Sequence, residues 1–266
     1  MPAVGRITGG PDVELSGNDR GLVTFAVPEE SRPFLRAWRN YTGSGPTPLG
    51  ATGWRFSDLD VLVTGMGSRN AKNCIEAFLR DSRPRWVVTA GFAGGLDSRF
   101  PRGTIGISSD PGFLDSHGAG GSGLVSMTFH QSVHVVETTA AKAELHRSTG
   151  CHAVDMESAT IRGICQVRGI PTATLRVISD DAGEDLAMDF GSLLGPDDRM
   201  DWVRLALTLM RSPSLIPRLI RFQGRLKVCA DSLAEALVEV LGKHRIPTSA
   251  SGRNRMAPPS NRTISN

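Results

Sequence analysis

Aromatic side chains that stack on nucleic-acid bases are scarce in this chain, and neither sign of charge dominates it. The 266 residues contain one tyrosine, Tyr41, and 30 basic side chains stand against 27 acidic ones, which leaves a net charge of +3. Proteins that bind nucleic acid usually present a clustered basic surplus and aromatic stacking surfaces. The composition therefore predicts no nucleic-acid partner.

Cysteine is scarce as well, and its spacing does not suit a structural framework. The four cysteines form no CxxC pair, whereas disulfide-rich domains and zinc sites need closer spacing. His130 and His134 lie in a β-prone stretch and lack the glutamate of an HExxH helix. We therefore expect reduced, mostly buried thiols in a reducing compartment, and no metal site.

Long apolar runs are also missing. No run approaches the roughly 18 residues of a membrane span, and residues 1–20 have no apolar core of a signal peptide. Residues 1–20 and 247–266 are instead polar and rich in small residues, which predicts flexible tails. We expect a cytoplasmic protein with one domain at residues 21–246, of which residues 211–246 form a helical extension.

Between the tails, strand-like and helix-like patterns alternate, most clearly at residues 154–181. Asp155 is placed to cap a helix, Gly169 and Pro171 stop it, and residues 172–179 follow as a β-branched strand. Helices of this length between such strands are typical of βαβ units. The sequence predicts an α/β fold of three layers, with a mixed, largely parallel central sheet flanked by helices. The residues predicted to face inward on this helix are Met156, Thr160, Gly163, Ile164 and Val167.

The remaining elements are predicted from apolar runs bounded by glycine and proline. The predicted strands are residues 22–27, 59–64, 86–89, 104–107, 124–127 and 133–136. The predicted helices are residues 71–79, 140–147, 201–210 and 215–241, the last interrupted near Pro217 and Gly224, and residues 112–123 form a glycine-rich loop.

Polar residues and glycines collect where the predicted strands end, which is where ligands bind in α/β sheets. They are Glu29 and Glu30, the glycine turn at 65–67, the glycines of 91–95, Glu157, and the run Ser179, Asp180 and Asp181. Taken singly, each has a structural explanation, since glycines form tight turns and acidic residues cap helices. Asp180 is also a candidate proton donor, because a carboxyl beside a second carboxylate, here that of Asp181, can keep its proton.

Four short motifs stand in one register along the chain. They are Val-Thr-Gly-Met-Gly at 63–67, Ala-Gly-Phe-Ala-Gly-Gly-Leu at 90–96 before Pro-Arg-Gly-Thr-Ile-Gly at 101–106, Ala-Val-Asp-Met-Glu-Ser at 153–158, and Arg-Val-Ile-Ser-Asp at 176–180. Together they resemble the nucleoside phosphorylase and nucleosidase superfamily, over roughly residues 21–210. Residues 22–30 resemble the first strand and acidic turn of the methylthioadenosine/S-adenosylhomocysteine nucleosidases. The stretch after Arg211 is similar to hopanoid-associated phosphorylase-like proteins.

The resemblance implies a nucleoside phosphorylase-like fold and an enzyme that cleaves the N-glycosidic bond of a purine, adenosine-type nucleoside. It implies no cofactor, and a homo-oligomer. Asp180 matches the aspartate that protonates purine N7, and Ser179 matches the serine that orients it. Such an acid suits a reaction in which the base departs from an oxocarbenium-like sugar.

The same resemblance assigns the sugar side of the site. Met156 and Glu157 match the pair that binds ribose, and Glu30 matches the glutamate that holds the attacking water. Backbone turns near the ribosyl and nucleophile positions contain Ala93, Gly94 and Gly67. Anionic groups near the sugar suit a transition state that gains positive charge there.

Two details of the site stay open. Water held by Glu30 is preferred as the nucleophile, but Arg32, Arg36 and Arg69 lie near the same turns and are candidates for binding phosphate. The residue that stacks on the purine has three candidates, Phe129, Val133 and His134.

Two other functions remain as alternatives. A non-catalytic nucleoside-binding protein of the same fold would have no need of both Asp180 and Glu157. A dinucleotide-binding oxidoreductase is disfavoured by the missing GxGxxG motif. The stretch 211–229, which has five basic and no acidic residues, is expected to pack on the domain or a partner subunit, with contact to a membrane surface as the lesser alternative.

Overall fold

The computed structural model describes residues 20–110, 113, 123–186, 193, 195, 208, 212 and 215–242. The two predicted tails lie outside these ranges apart from Arg20. Most of the predicted glycine-rich loop at 112–123 and of the predicted helix at 201–210 also lies outside the described residues.

Within those ranges, ten strands and five helices of at least ten residues alternate along the chain. The strands are β1 (Gly21–Phe25), β2 (Thr47–Pro48), β3 (Gly53–Arg55), β4 (Leu59–Val63), β5 (Val87–Gly95), β6 (Ile105–Ser109), β7 (Val125–Ser126), β8 (Phe129–Gln131), β9 (Ala153–Asp155) and β10 (Thr172–Asp180). The helices are α1 (Pro28–Thr42), α2 (Gly67–Asp81), α3 (Thr139–Thr149), α4 (Ser158–Val167) and α5 (Leu215–Gly242).

All ten strands join one mixed sheet, whose main path runs β2-β3-β4-β1-β5-β10-β6-β7. Its centre is parallel, because β1 pairs with both β4 and β5, and β5 pairs with β10, in the same direction. β6 runs antiparallel to β10, and β2, β3 and β4 form an antiparallel meander. β9 pairs antiparallel with the end of β5, and β8 pairs parallel with β9. The predicted mixed, largely parallel sheet is confirmed.

Helices cover both faces of the sheet because β1 is apolar on both sides. Val23 and Phe25 pack on one face with residues of α1 and α5 such as Phe34 and Leu233. Leu22, which points the other way, packs with residues of α2 and α4. Full burial of such a side chain contributes about 1.5–3 kcal/mol. Strands buried on both faces are the mark of a parallel sheet between two helical layers.

The predicted inward face of α4 is wrong in part. Ile161 and Cys165 are buried and Ile164 packs against the same cluster, whereas Val167 is 87% exposed. The helix begins at Ser158, and Glu157 is its N-cap residue rather than a member of the first turn. The buried stripe is displaced by one residue from the predicted one, which is a rotation of about 100°.

Two further predictions are corrected by the structure. Residues 133–136 form no strand, and the chain there runs irregularly between β8 and α3. α5 is continuous through Pro217 and Gly224. Pro217 lies in the first turn, where the missing N–H removes no helical hydrogen bond. Gly224 in a helix interior costs only about 1 kcal/mol relative to alanine.

Candidate active site

A cavity of about 350 Å³ opens at the carboxyl ends of β1, β5 and β10. Seven of the residues predicted for the site line it, namely Glu30, Ala93, Gly94, Met156, Glu157, Ser179 and Asp180. They meet because the parallel strands place their ends at one edge of the sheet and β9 lies against the end of β5. The sheet thus assembles groups that lie far apart in the sequence.

The other three predicted residues are not among the described residues that line the cavity. Gly67, at the start of α2, contacts the site indirectly: its backbone N–H donates to Glu157 Oε1 at 2.7 Å. Arg69 is exposed. Arg32 has a side chain that is 71% exposed and lies 3.7 Å from Glu29. Neither arginine extends into the cavity.

Glu30 joins the ends of two strands. Pro28 begins α1 directly after β1, and Glu30, two residues later, turns back so that Oε2 accepts from the N–H groups of Ala26 at 2.9 Å and Val27 at 3.2 Å. Its Oε1 accepts from Phe92 N at 2.8 Å. Burial raises the pKa of Glu30 above its ordinary value, although the charge of Arg176 and the three backbone donors act against that rise.

Arg176 is a site residue that the sequence analysis missed. It lies in the middle of β10 and is 2% exposed, and its Nε lies 3.2 Å from Asp155 Oδ2. Its Nη2 lies 3.9 Å from Glu157 Oε2. A signal was present, because an arginine in the middle of a predicted β-branched strand requires anionic partners if that strand is buried.

Glu157 is held between donors and other carboxylates. It is 6% exposed, and it follows Asp155, whose Oδ1 accepts from the N–H groups of Glu157 and Ser158 at 3.0 Å each. Burial raises the pKa of Glu157 to about 7, the negative charges of Asp155 and Glu30 add to the rise, and Arg176 and the Gly67 N–H oppose it. Near neutral pH this carboxyl can therefore both accept and donate hydrogen bonds.

Asp180 faces a buried lysine that the sequence analysis also missed. Its Oδ1 accepts from Ser179 Oγ at 2.6 Å, and its Oδ2 lies 2.5 Å from Lys142 Nζ. Lys142 comes from α3 and is 0% exposed. Asp181, expected to place a second carboxylate beside Asp180, instead binds Arg102 through Oδ2 at 3.0 Å. Asp180 therefore has a cation beside it rather than a second carboxylate. No local sequence pattern in α3 predicts that Lys142 is buried at this position.

The far wall of the cavity is apolar. Of the three candidates for stacking on a base, only His134 lines the cavity, in the irregular chain before α3. Phe129 packs with Ala93 in a small core cluster, and Val133 is 72% exposed. Phe222 of α5 contributes a further apolar side chain to the cavity.

Part of the chain that carries these residues matches a known family model. The family model described as the phosphorylase superfamily matches residues 115–199, which include β9, α4 and β10. The predicted resemblance to this superfamily is confirmed. Its matched segment carries Asp155, Glu157, Arg176 and Asp180.

The proteins to which this chain is similar are distant in sequence. A 5'-methylthioadenosine/S-adenosylhomocysteine nucleosidase of Bacillus pumilus is 24% identical, over 52% of this chain and 76% of that protein. Futalosine hydrolase of Helicobacter pylori has a TM-score of 0.62 at 15% identity, covering 85% of this chain and 98% of its own. The nucleosidase of the same organism, solved with an inhibitor, has a TM-score of 0.62 at 15% identity, with coverage of 85% and 99%. These two structures show that the fold is shared.

Proposed function

We propose that this protein hydrolyses the N-glycosidic bond of a purine nucleoside and releases the base. One observation carries the proposal. The cavity is lined by Glu30 and Glu157, which lie around the buried Arg176, and by Asp180 with Ser179. Cleavage of a nucleoside needs both sets of groups, because positive charge grows on the sugar while negative charge grows on the leaving base. The similarity to nucleosidases supports the same bond as the target.

The sugar side suits ribose. The Glu157 carboxyl, fixed by the Gly67 N–H, points into the cavity beside Met156 and would accept hydrogen bonds from ribose hydroxyls. Glu30, Asp155 and Glu157 surround the single guanidinium of Arg176. Carboxyl groups that are already in place beside the sugar stabilise an oxocarbenium-like transition state without reorganisation.

Water is the nucleophile that fits this charge distribution. None of the described residues that line the cavity is a lysine or an arginine, and Arg176 behind them is already bound to Asp155. Phosphate would therefore enter next to carboxylates without a free cation, which costs electrostatic energy. Glu30, held by three backbone donors, would instead orient a water and accept its proton.

The base side carries the acid. Asp180, oriented by Ser179, would deliver a proton to the purine ring nitrogen as the bond breaks. The apolar wall formed by side chains such as Val135, Val136 and Phe222 suits the flat faces of an uncharged base. The similarity to a 5'-methylthioadenosine/S-adenosylhomocysteine nucleosidase favours an adenosine-type nucleoside.

The test is base release from a panel of nucleosides with and without phosphate. Adenosine, 5'-methylthioadenosine, inosine and uridine are incubated with the protein, and bases and sugars are separated and quantified. We expect purine release with free sugar at zero phosphate, and no release from uridine.

Each contrary result has a distinct meaning. Strict dependence on phosphate, with only the sugar 1-phosphate formed, would replace hydrolysis by phosphorolysis. Saturable binding of nucleosides without any base release would favour the alternative, a nucleoside-binding protein that lacks catalysis.

A further inference from the structure

Lys142 is an ammonium in the resting site, as its surroundings require. Its Nζ lies 2.5 Å from Asp180 Oδ2 and 2.8 Å from each of the carbonyl oxygens of Asp181 and Glu184. A neutral amine has two N–H bonds, whereas three acceptors at these distances call for the three of an ammonium. The side chain is 0% exposed, so no water replaces these partners.

Asp180 is therefore ionised before the reaction starts. One of its oxygens accepts from Ser179 Oγ and the other from Lys142 Nζ. A carboxylate in this state is an acceptor only. The base that departs nevertheless needs a proton, so the acid step proposed above requires a source behind Asp180.

We propose that Lys142 is that source, and that Asp180 passes its proton to the departing base. This inference rests on the proposed function and deepens it. Lys142 does not line the cavity, so it is a positioning residue that acts through Asp180 and never touches the substrate.

The step balances without any further reactant. The C1'–N9 bond breaks, and its electron pair goes to the purine. An N–H bond of Lys142 breaks as an O–H bond forms on Asp180, and that O–H then breaks as the purine nitrogen takes the proton. The products are the neutral base, a neutral lysine, an Asp180 carboxylate and the sugar cation, which water attacks. The proton released from that water leaves through Glu30 to solvent, and solvent restores the ammonium.

Burial makes the first transfer accessible. In water an ammonium and a carboxylate are far more stable than an amine and a carboxylic acid. In a buried pair the two charges lose much of their hydration, so the neutral pair comes closer in free energy. The short contact of 2.5 Å between Nζ and Oδ2 provides the path.

Other charged groups around the pair are bound elsewhere or lie across the cavity. Asp181 and Glu184 bind Arg102, and Glu184 also binds Arg225. Asp185 lies within electrostatic range of Lys142, and the Cys229 thiol within range of Asp180. The other titratable residues that line the cavity are Glu29, Glu30, His134, Asp155 and Glu157. None of these is hydrogen-bonded to Lys142 Nζ through its side chain in the described structure.

The decisive variant is Lys142→Met, which keeps the length of the side chain and removes the proton. Asp180, buried without its cation, should take up a proton at low pH and act as an acid by itself. We expect adenosine cleavage near the wild-type rate at about pH 5 and a loss of about 10²-fold or more at alkaline pH, because general acid catalysis contributes about 10²–10⁴-fold. The exposed Lys72→Met on α2 is the matched control and should follow the wild-type pH profile.

A second substrate separates proton supply from a structural role. 4-Nitrophenyl riboside releases an anion that needs no proton, so Lys142→Met should cleave it within a few-fold of wild type at every pH. Lys142→Met/Asp180→Asn, which removes both buried charges, should retain the thermal unfolding midpoint and lose nucleoside cleavage at all pH values. Should the nitrophenyl compound be no substrate of the wild type, the two pH profiles decide alone.

The outcomes separate the inference from the proposed function. If the wild type cleaves no nucleoside, both fail. If the wild type is active, three results for Lys142→Met would contradict the proton supply and leave the nucleosidase activity standing. They are a pH profile equal to that of the wild type, an equal loss of activity on both substrates, and no recovery of activity at low pH.

Discussion

The carboxylate of Glu30 lies against the Cα atom of Gly91, in space that a side chain at position 91 would need. A Cβ atom at Gly91 would lie 2.6 Å from Glu30 Oε1, and it would also overlap with Arg176. The backbone there has φ of +152°, which residues with a side chain rarely adopt. The glycine therefore lets the carboxylate and the guanidinium lie directly against β5.

Gly91→Ala should displace Glu30 and Arg176 and remove base release, with a lower unfolding temperature. Overpacking of a tight core typically costs about 1–3 kcal/mol, and strain at this φ adds to it. Gly163→Ala on α4, where a Cβ meets open space, is the control and should be neutral or slightly stabilising. Wild-type turnover in Gly91→Ala would show that the position of Glu30 is not critical.

Asp180→Asn should reduce turnover by about 10²–10⁴-fold, because an amide keeps the shape of the side chain but transfers no carboxylic proton. Binding of a nucleoside analogue, measured by calorimetry, should change much less. Asp181→Asn is the matched control, since that carboxylate binds Arg102 and should affect turnover only weakly. Release of adenine by Asp180→Asn at the wild-type rate would remove Asp180 from the mechanism.

The 2'-deoxynucleoside should be a poorer substrate than the ribonucleoside. If Glu157 binds the ribose hydroxyls, a missing hydroxyl removes one hydrogen bond from a buried carboxyl, which costs about 1–3 kcal/mol. The ratio of kcat/KM for adenosine and 2'-deoxyadenosine measures this preference. Glu157→Gln should reduce the ratio, and equal values for both sugars in the wild type would argue against the assignment.

Glu157 should also make the stability depend on pH. Its pKa is raised from 4.5 to about 7 in the folded protein, so the fold binds this proton more tightly than the unfolded chain does. The resulting stabilisation is complete below the ordinary pKa and is lost as the pH rises through the raised one. The loss amounts to at most about 3 kcal/mol.

Urea unfolding between pH 5 and pH 8 tests this effect. Relative to Glu157→Gln, the wild type should lose stability as the pH rises, whereas the exposed Glu235→Gln should follow the wild type. A constant difference between wild type and Glu157→Gln across this range would contradict the raised pKa.

The first half of α5 should contact a second copy of the chain. Residues 229–241 pack against the core, but Ile216 and Ile220 are 43% and 64% exposed. Sedimentation should show an oligomer that Ile220→Glu weakens, because an exposed apolar face is commonly covered by a partner. A monomer that binds anionic liposomes in a salt-dependent manner would favour membrane contact instead.

For the liposome measurement, Arg218 and Arg221 are the residues to change, since both are exposed. Arg225, which belongs to the same basic stretch, lies 2.7 Å from Glu184 near the cavity. Its substitution would disturb the site as well as the surface. Within the described ranges no helix, α5 included, is long and apolar enough to cross a membrane.

The sequence by itself determined the layers and the edge at which the cavity lies. Strands such as β1 and β10 are marked by apolar runs, and Pro28 and Gly169 mark helix ends, because these signals act within a few neighbouring residues. The side of a helix that faces the core was predicted less well, as α4 shows, since a displacement of one residue along the sequence rotates the apolar stripe by about 100°. The family resemblance of the four motifs also named seven residues that line the cavity.

Only the tertiary structure decided the partners of the charged groups. Lys142 and Asp180 are separated by 38 positions, and Asp155 and Arg176 by 21, and neither pair follows from a local pattern. Which cation meets which carboxylate depends on how β9, β10 and α3 pack around the end of the sheet. Burial then sets the charge of each group, because the loss of hydration is a property of the folded environment and not of the sequence position.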